Sequence, residues 1–234
     1  MGIMNIIIEN FLINMKIAIC LSGLPRFIEQ GYDQISEKIL HKYDVDVFIH
    51  TWWDESICNT IDDRGYKFEK NTLEKISKIY KPKNFHNEPR KEFNILQDLD
   101  YETLNPISPY SMFYSIMRCN ELKKNYETNN NFKYDVVIRC RFDILINKLD
   151  IKFEEIERGV IYTDTIGNGF PNDQFALGDS DSMDYYSSLY NKMYIYYQQG
   201  VKNFVGERLL RYHLENSEFN NDFSNNIKNN IIKK

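Results

Sequence analysis

The sequence predicts an α/β protein: a single domain built on a mixed, mostly parallel sheet with helices on both faces. Two patterns carry that prediction. A strand, a short helix and a second strand occupy residues 16–51, the βαβ arrangement that requires parallel strands and a right-handed crossover. A later run, Tyr134–Ile146, opens with Val136, Val137 and Ile138, β-branched residues that suit a strand covered on both faces. At 234 residues the chain can bury one such core, and no internal repeat or linker divides it.

Taken in order, residues 1–14 hold two apolar pieces, Ile6-Ile7-Ile8 and Phe11-Leu12-Ile13, separated by Glu9 and Asn10. With no basic leading region and no small-residue cleavage site they do not resemble a signal peptide. They read as an N-terminal extension to a domain over residues 15–219, with Met15 as a candidate start. The first strand is Lys16–Leu21, followed by the loop Ser22-Gly23-Leu24-Pro25-Arg26 and a helical segment with Ile35, Ile39 and Leu40 on one face. The second strand, Val45–Thr51, lies within DVFIHTWWD. A helix over Thr72–Tyr80 is closed by Pro82. The rest of residues 57–101 reads as irregular, charged surface chain.

Ser108-Pro109 supplies an N-cap and a proline at the first helical position. Met112, Phe113, Ile116 and Met117 then form the apolar stripe of a helix running to about Glu127. The Asn129-Asn130-Asn131 turn feeds the strand at Tyr134. Beyond it come a strand at Val160–Thr163, the loop Gly167-Asn168-Gly169 and a short strand or turn at Phe175–Gly178. A tyrosine-rich helix over Ser182–Tyr197 and a last helix over Glu207–Glu215 follow. Residues 220–234, rich in Asn and Lys, are expected to be a flexible tail.

Composition narrows the function. A hydrophobic share of 42% and an aromatic share of 15% describe a globular chain. A net charge of −5, with acids and bases interspersed, lacks the basic footprint of a nucleic-acid binder. No run approaches the ~18 apolar residues of a transmembrane segment. Cys20, Cys58, Cys119 and Cys140 show no CxxC spacing, and two of them lie in apolar strands. Buried, reduced thiols in a cytoplasmic setting are therefore expected.

Chemistry concentrates at the end of the Tyr134 run. Arg139, Arg141 and Asp143 are unfavourable to bury without partners. The strand is expected to deliver them to the carboxyl end of the sheet, where open α/β sheets bind ligands. A carboxylate beside two guanidinium groups suits a diphosphate, with or without a divalent cation. Arg139 and Arg141, two residues apart, should share a strand face, and a structural ion pair with Asp143 is the competing role. Arg26 is a further phosphate candidate, because the Ser22-Gly23 turn lets backbone N–H groups approach an anion; a solvated loop arginine is the alternative. His50, Trp52 and Trp53 suit either stacking on a base or sugar, or closure of the core. Asn172-Asp173-Gln174 follows Gly167, Gly169 and Pro171, and is expected in a functional loop. Glu207 suits its helix N-terminus electrostatically, and His213, six residues on, does not share its helix face.

These residues carry a resemblance. SGLPRF, DVFIHTWWD, SPYSMFYSIMRCNELKK leading into YDVVIRCRFDILI, FPNDQFALGDSDSMDYYSSLY and GERLLRYHL, in this order over about residues 15–216, resemble GT-A-type glycosyltransferase-like proteins. That group is associated with surface-polysaccharide and lipopolysaccharide synthesis in bacteria and has relatives in large DNA viruses. The resemblance implies a single-domain GT-A (Rossmann-like) fold and a glycosyltransferase that moves a sugar from a nucleotide-sugar donor to a glycan or lipid-linked acceptor hydroxyl. In that family an Asp-x-Asp motif holds Mn²⁺ or Mg²⁺ on the donor diphosphate. The matching position here is Arg141-Phe142-Asp143, with arginine where the first aspartate would stand. Asp143 is then the remaining metal ligand, and Arg139 and Arg141 are direct phosphate partners. On the same resemblance Ser22, Gly23 and Arg26 bind the donor, His213 is a further metal or phosphate ligand, and Asn172 and Gln174 meet the acceptor. Asp173 is the nominee for the base that takes the acceptor proton, or else for binding acceptor hydroxyls, with an Asx-type turn as the competing role. Two rival readings are a GT-A-fold sugar or nucleotide-binding module that has lost catalysis, and a sugar-nucleotide nucleotidyltransferase. The second would want a multi-glycine basic loop in place of SGLPRF.

Overall fold

The computed structural model describes residues 15–100, 107–167, 169–223 and 226–233. The expected extension over 1–14 and Asn168 lie outside the described residues. The strands are β1 Ile17–Gly23, β2 Val45–Trp52, β3 Asn84–Glu88, β4 Val136–Cys140, β5 Ile144–Leu149, β6 Val160–Ile166, β7 Phe170–Gly178, β8 Asn220–Asp222 and β9 Ile227–Ile231. The α-helices are α1 Ile28–Ile35, which runs on into a π-helical turn at Ser36–Leu40, then α2 Thr72–Tyr80, α3 Ile107–Asn130, α4 Ser180–Ser187, α5 Leu189–Gln198 and α6 Gly206–Glu215.

Seven strands form one sheet in the order β3-β2-β1-β4-β7-β6-β8. Neighbours from β3 to β4 are parallel, β7 runs antiparallel to both β4 and β6, and β8 is parallel to β6. The expected α/β, mostly parallel architecture is therefore present. Side-chain alternation along β1 divides the core. Ile17, Ile19 and Leu21 join α1 and α2 on one face, while Ala18 and Cys20 join α3 to α6 on the other. Cys20, Cys119 and Cys140 are buried and Cys58 half-buried, all unpaired. Among the described residues no helix is long and apolar enough to cross a membrane.

Several expectations need correction. Tyr134–Ile146 is not one strand. The chain leaves the sheet after Cys140, turns through Arg141-Phe142-Asp143 and starts β5 at Ile144. Phe142 is fully buried in the first core, and α1 packs so closely on this turn that a Cβ at Gly31 would lie 1.6 Å from the Phe142 carbonyl oxygen. Arg139 and Arg141 therefore do not share a strand face. Asn172-Asp173-Gln174 lies within β7, not in a loop. The tyrosine-rich helix is two helices with a break at Ser188. The charged stretch before Tyr101 contributes the edge strand β3.

The expected tail also carries structure: β9 pairs antiparallel with β5. Ile227 is 1% exposed within the first core. Asp164 accepts hydrogen bonds from Lys228 Nζ at 2.7 Å and from the Asn229 amide at 3.0 Å. Two inward-facing residues, the apolar Ile227 and the hydrogen-bonded Asn229, suffice when a partner strand waits for them. If this segment were frayed, Ile227→Ala would be neutral. We expect it to destabilise the protein by roughly 2–5 kcal/mol, as buried Ile→Ala changes do, measured by urea unfolding.

His213 has both ring nitrogens engaged within the protein. It is fully buried on α6, with Nδ1 2.7 Å from the Tyr196 hydroxyl and Nε2 2.8 Å from the Tyr185 carbonyl oxygen, and it stacks on the Tyr185 ring at 4.2 Å. Burial pushes its pKa from 6.5 down to about 4. The unfolded chain therefore takes up this proton at a higher pH than the folded one. The associated stability is present above pH 6.5 and is lost as pH falls toward 4. The melting temperature should fall across that window, and His213→Gln, which removes the titration, should flatten the fall. An unchanged profile would show that His213 does not contribute to it.

Candidate functional site

The sheet order places a crevice at its carboxyl edge. From β1 the chain proceeds outward through β2 to β3, then returns to β4 on the other side of β1. Loops leaving β1 and β4 thus diverge, and ligands of open α/β sheets bind at such a reversal. A cleft of about 690 Å³ lies among the residues that follow these strands. Ser22, Gly23 and Arg26 come from the end of β1, Trp52 from β2, Arg139 from β4 and Arg141 from the turn after it. Ser108, Ser111 and Met112 from the first turns of α3 complete one wall, so the positive end of that helix lies beside the cleft.

The fourth wall comes from residues 57–68, the stretch that the sequence suggested was irregular. It is a hairpin-like loop. The Asn59 amide donates to the Phe68 carbonyl oxygen, and the Phe68 amide donates to that of Thr60. Phe68 is buried, and Tyr66 packs on Phe27 with ring centroids 5.0 Å apart. At its tip the Asp62 carboxylate accepts the amides of Arg64 and Tyr66, each at 2.9 Å. This fixes a turn that presents Asp62, Asp63 and Arg64 to the cleft. Arg26 is ion-paired with Asp62 and donates from Nη2 to Asp63 at 2.9 Å.

Asp143 lies beneath this surface and is 1% exposed. Arg141 grips it with two hydrogen bonds, Nε to Oδ1 at 2.7 Å and Nη2 to Oδ2 at 2.9 Å. Arg64 Nη1 reaches the same Oδ2 at 2.9 Å. Burial alone would raise the Asp143 pKa, but the charge and hydrogen bonds of Arg141, followed by the charges of Arg64 and Arg26, hold it below the ordinary value. Arg64 is drawn down first by burial and then by the like charge of Arg141. Both Asp143 oxygens are therefore already spoken for by guanidinium groups. A Mn²⁺ or Mg²⁺ ion wants a cage of oxygens with a negative field, and residues that surround this carboxylate with arginine do not fit one.

The remaining candidates fall at different distances from the cleft. Arg139 is buried, lines the cleft and donates from Nη1 to the Asp173 carbonyl oxygen. Asp173 lies behind the Met112 wall at the start of α6, where a Cβ at Gly206 would sit 2.8 Å from Asp173 Oδ2 and 3.1 Å from Met112 Cε. Its carboxylate is close enough to Glu207 that, after burial, it is the main cause of a raised Glu207 pKa. Asn172 is buried away from the cleft, donating to Asn229 Oδ1 at 3.1 Å and accepting from the Gln174 amide at 3.1 Å, so it braces β7. None of Asn172, Asp173 and Gln174 is among the residues that line the cleft, and His213 is buried away from it against Tyr185 and Tyr196. His50, Trp52 and Trp53 are all buried. Trp52 stacks on Tyr114 at 5.4 Å, so one face of its ring is already covered.

Sequence reasoning missed Arg64, Arg90 and Lys91, which line the cleft with Arg26, Arg139 and Arg141. The turn chemistry of Asp62-Asp63-Arg64-Gly65 was the available signal. Nothing in its spacing tied it to Asp143, 79 residues away. Three buried atoms of the lining, Ser22 Oγ, Trp52 Nε1 and Arg139 Nε, have no hydrogen-bond partner among the described residues.

The comparison with curated proteins returns no match. A family model described as "Domain of unknown function (DUF7796)" matches residues 12–224, which take in every strand of the large sheet and all six helices. On that match, the chain belongs to the DUF7796 family.

Proposed function

We propose that the protein is a glycosyltransferase that holds the diphosphate of a nucleotide-sugar donor with arginine side chains in place of a metal ion. One observation carries this reading: the cleft at the strand-order reversal is lined by Arg26, Arg64, Arg90, Lys91, Arg139 and Arg141 against only Asp62 and Asp63. A chain with a net charge of −5 that gathers cations in one concave place favours a compact anion there. The partnerless Ser22 Oγ and Arg139 Nε are suited to its oxygens, because buried polar atoms normally find partners.

In such a transfer the acceptor hydroxyl oxygen bonds to the anomeric carbon of the sugar. The bond from that carbon to the diphosphate oxygen breaks, and the nucleoside diphosphate leaves with the electron pair. Fixed guanidinium groups stabilise the charge that develops on the leaving group and need no reorganisation to do so. Asp173 is the nominee to take the hydroxyl proton, since its carboxylate lies beside Met112, itself part of the cleft wall. Glycan or lipid-linked acceptors would approach from that side.

The engaged state of Asp143 favours a second reading, a nucleotide-sugar-binding module without turnover. Binding and release of nucleoside diphosphate separate the two. Thermal-shift and calorimetric titrations with UDP-, GDP-, CDP- and dTDP-sugars should give stabilisation by one donor, undiminished by a chelator. Arg141→Gln and Arg64→Gln should each weaken that donor by about 10-fold or more, in line with losing one charge-assisted hydrogen-bond partner. Arg64→Gln is the cleaner variant, because Arg141→Gln leaves the buried Asp143 with one guanidinium partner and Asp143→Ala leaves two guanidinium groups unpaired, changes that should each cost roughly 3–5 kcal/mol of stability. Absence of binding to any donor would overturn both readings. Binding without diphosphate release, with any acceptor glycan supplied, would leave the module.

A further inference from the structure

Beside the cleft, His50, His86 and Glu88 each bring one potential ligand atom to within 4.8 Å of the others. The sheet itself creates this meeting. β2 and β3 are parallel with His50 opposite His86, so the two imidazoles project from the same face, and Glu88 follows two residues later on that face. We propose that these three side chains bind one divalent transition-metal ion of the zinc class, with a fourth position open to water or a ligand.

The donor set selects the ion. Two imidazoles and a carboxylate suit zinc, cobalt or nickel, whereas magnesium and calcium prefer oxygen ligands throughout. His50 is fully buried. Its Nδ1 lies 2.8 Å from Ser115 Oγ, an outer partner of the kind that fixes a ligating ring, and Trp52 packs edge-on at 5.2 Å. His86 and Glu88 are half-buried, which leaves a route from solvent.

Glu88 Oε1 lies 2.8 Å from His50 Nε2, and Oε2 is 2.9 Å from Lys91 Nζ. The rings of His50 and His86 stack at 5.7 Å. Ligand atoms around a tetrahedral zinc ion stand about 3.4 Å apart, so modest rotation of His86 and Glu88 would close the set. The ion would take the place of the proton shared by His50 and Glu88, while Lys91 keeps the other carboxylate oxygen. Trp52 and Lys91 also line the cleft, so the ion would sit directly behind its wall. Such a site stands or falls independently of any nucleotide sugar.

The test is titration of the untagged, chelator-treated full chain with Zn²⁺ and Co²⁺, followed by melting temperature, calorimetry and visible absorption. The expected results are one ion per chain, a higher melting temperature with zinc and none with Mg²⁺, and cobalt d–d bands of a low-coordinate nitrogen and oxygen site. His86→Ala and Glu88→Gln, both at half-buried positions, should each weaken zinc by more than ~10-fold. If His86→Ala does not fold, Glu88→Gln carries the comparison. Failure of the wild type to bind zinc, unchanged affinity in the variants, or a thiolate-to-cobalt charge-transfer band placing the ion on cysteine would overturn the proposal.

Discussion

The central constraint is the burial of β1 on both faces between parallel neighbours. Ile17, Ile19 and Leu21 serve one core and Ala18 and Cys20 the other, while β2 and β4 satisfy its backbone from either side. No polar side chain can be tolerated along most of its length. What polarity the strand carries is pushed to its last residues, Ser22 and Gly23, and because its neighbours run the same way, their polar ends arrive at the same edge. The cationic cleft is the consequence of that alignment.

Charge then sets what the cleft can accommodate. Asp143 supplies one buried negative charge, and Arg141 and Arg64 converge on it; Arg26 has its own pair of aspartates. Arg139 is different: its Nη1 bonds only a carbonyl, so its charge is not neutralised by that contact. A buried guanidinium with a neutral partner is electrostatically incomplete, which sets Arg139 apart from Arg64 and Arg141, both paired with the Asp143 carboxylate. The hairpin at 59–68 matters because it adds Arg64 from outside the sheet, so part of the site rests on loop packing of Phe68 and Tyr66 and not on strand register.

The sequence revealed the large sheet and the positions of Ser22, Gly23, Arg26, Arg139 and Arg141 because hydrophobic runs locate strands and strand ends locate sites. It did not reveal that Arg141 and Asp143 sit in a turn, since Phe142 and Ile144 continue the apolar pattern across it. It placed Asn172 in a loop because glycine and proline surround it, yet those residues here begin a hairpin strand. β9 was illegible for another reason. Its Ile-Lys-Asn-Asn-Ile pattern has little strand preference of its own and becomes a strand only because β5 offers an edge. His213 is a ligand candidate on the family resemblance alone, whereas Tyr185 and Tyr196 occupy both its nitrogens within the core, a contact that no spacing in the sequence announces.

The amide of Ile232, just past β9, donates to the backbone carbonyl of Asp143 at 2.8 Å. The turn that carries Arg141 and Asp143 is therefore finished by a segment far downstream of it in the sequence. During translation β5 leaves the ribosome long before residues 227–232, and its edge stays unpaired until they follow. A nascent chain can assemble β1, β2 and β4 early, but the arginine-carboxylate cluster gains its full backbone support only afterwards, through a contact of long sequence separation that forms slowly. The turn that carries the arginine-carboxylate cluster thus depends on a segment far along the chain, and an insertion between β5 and β9 that displaced Ile232 would bear on its geometry.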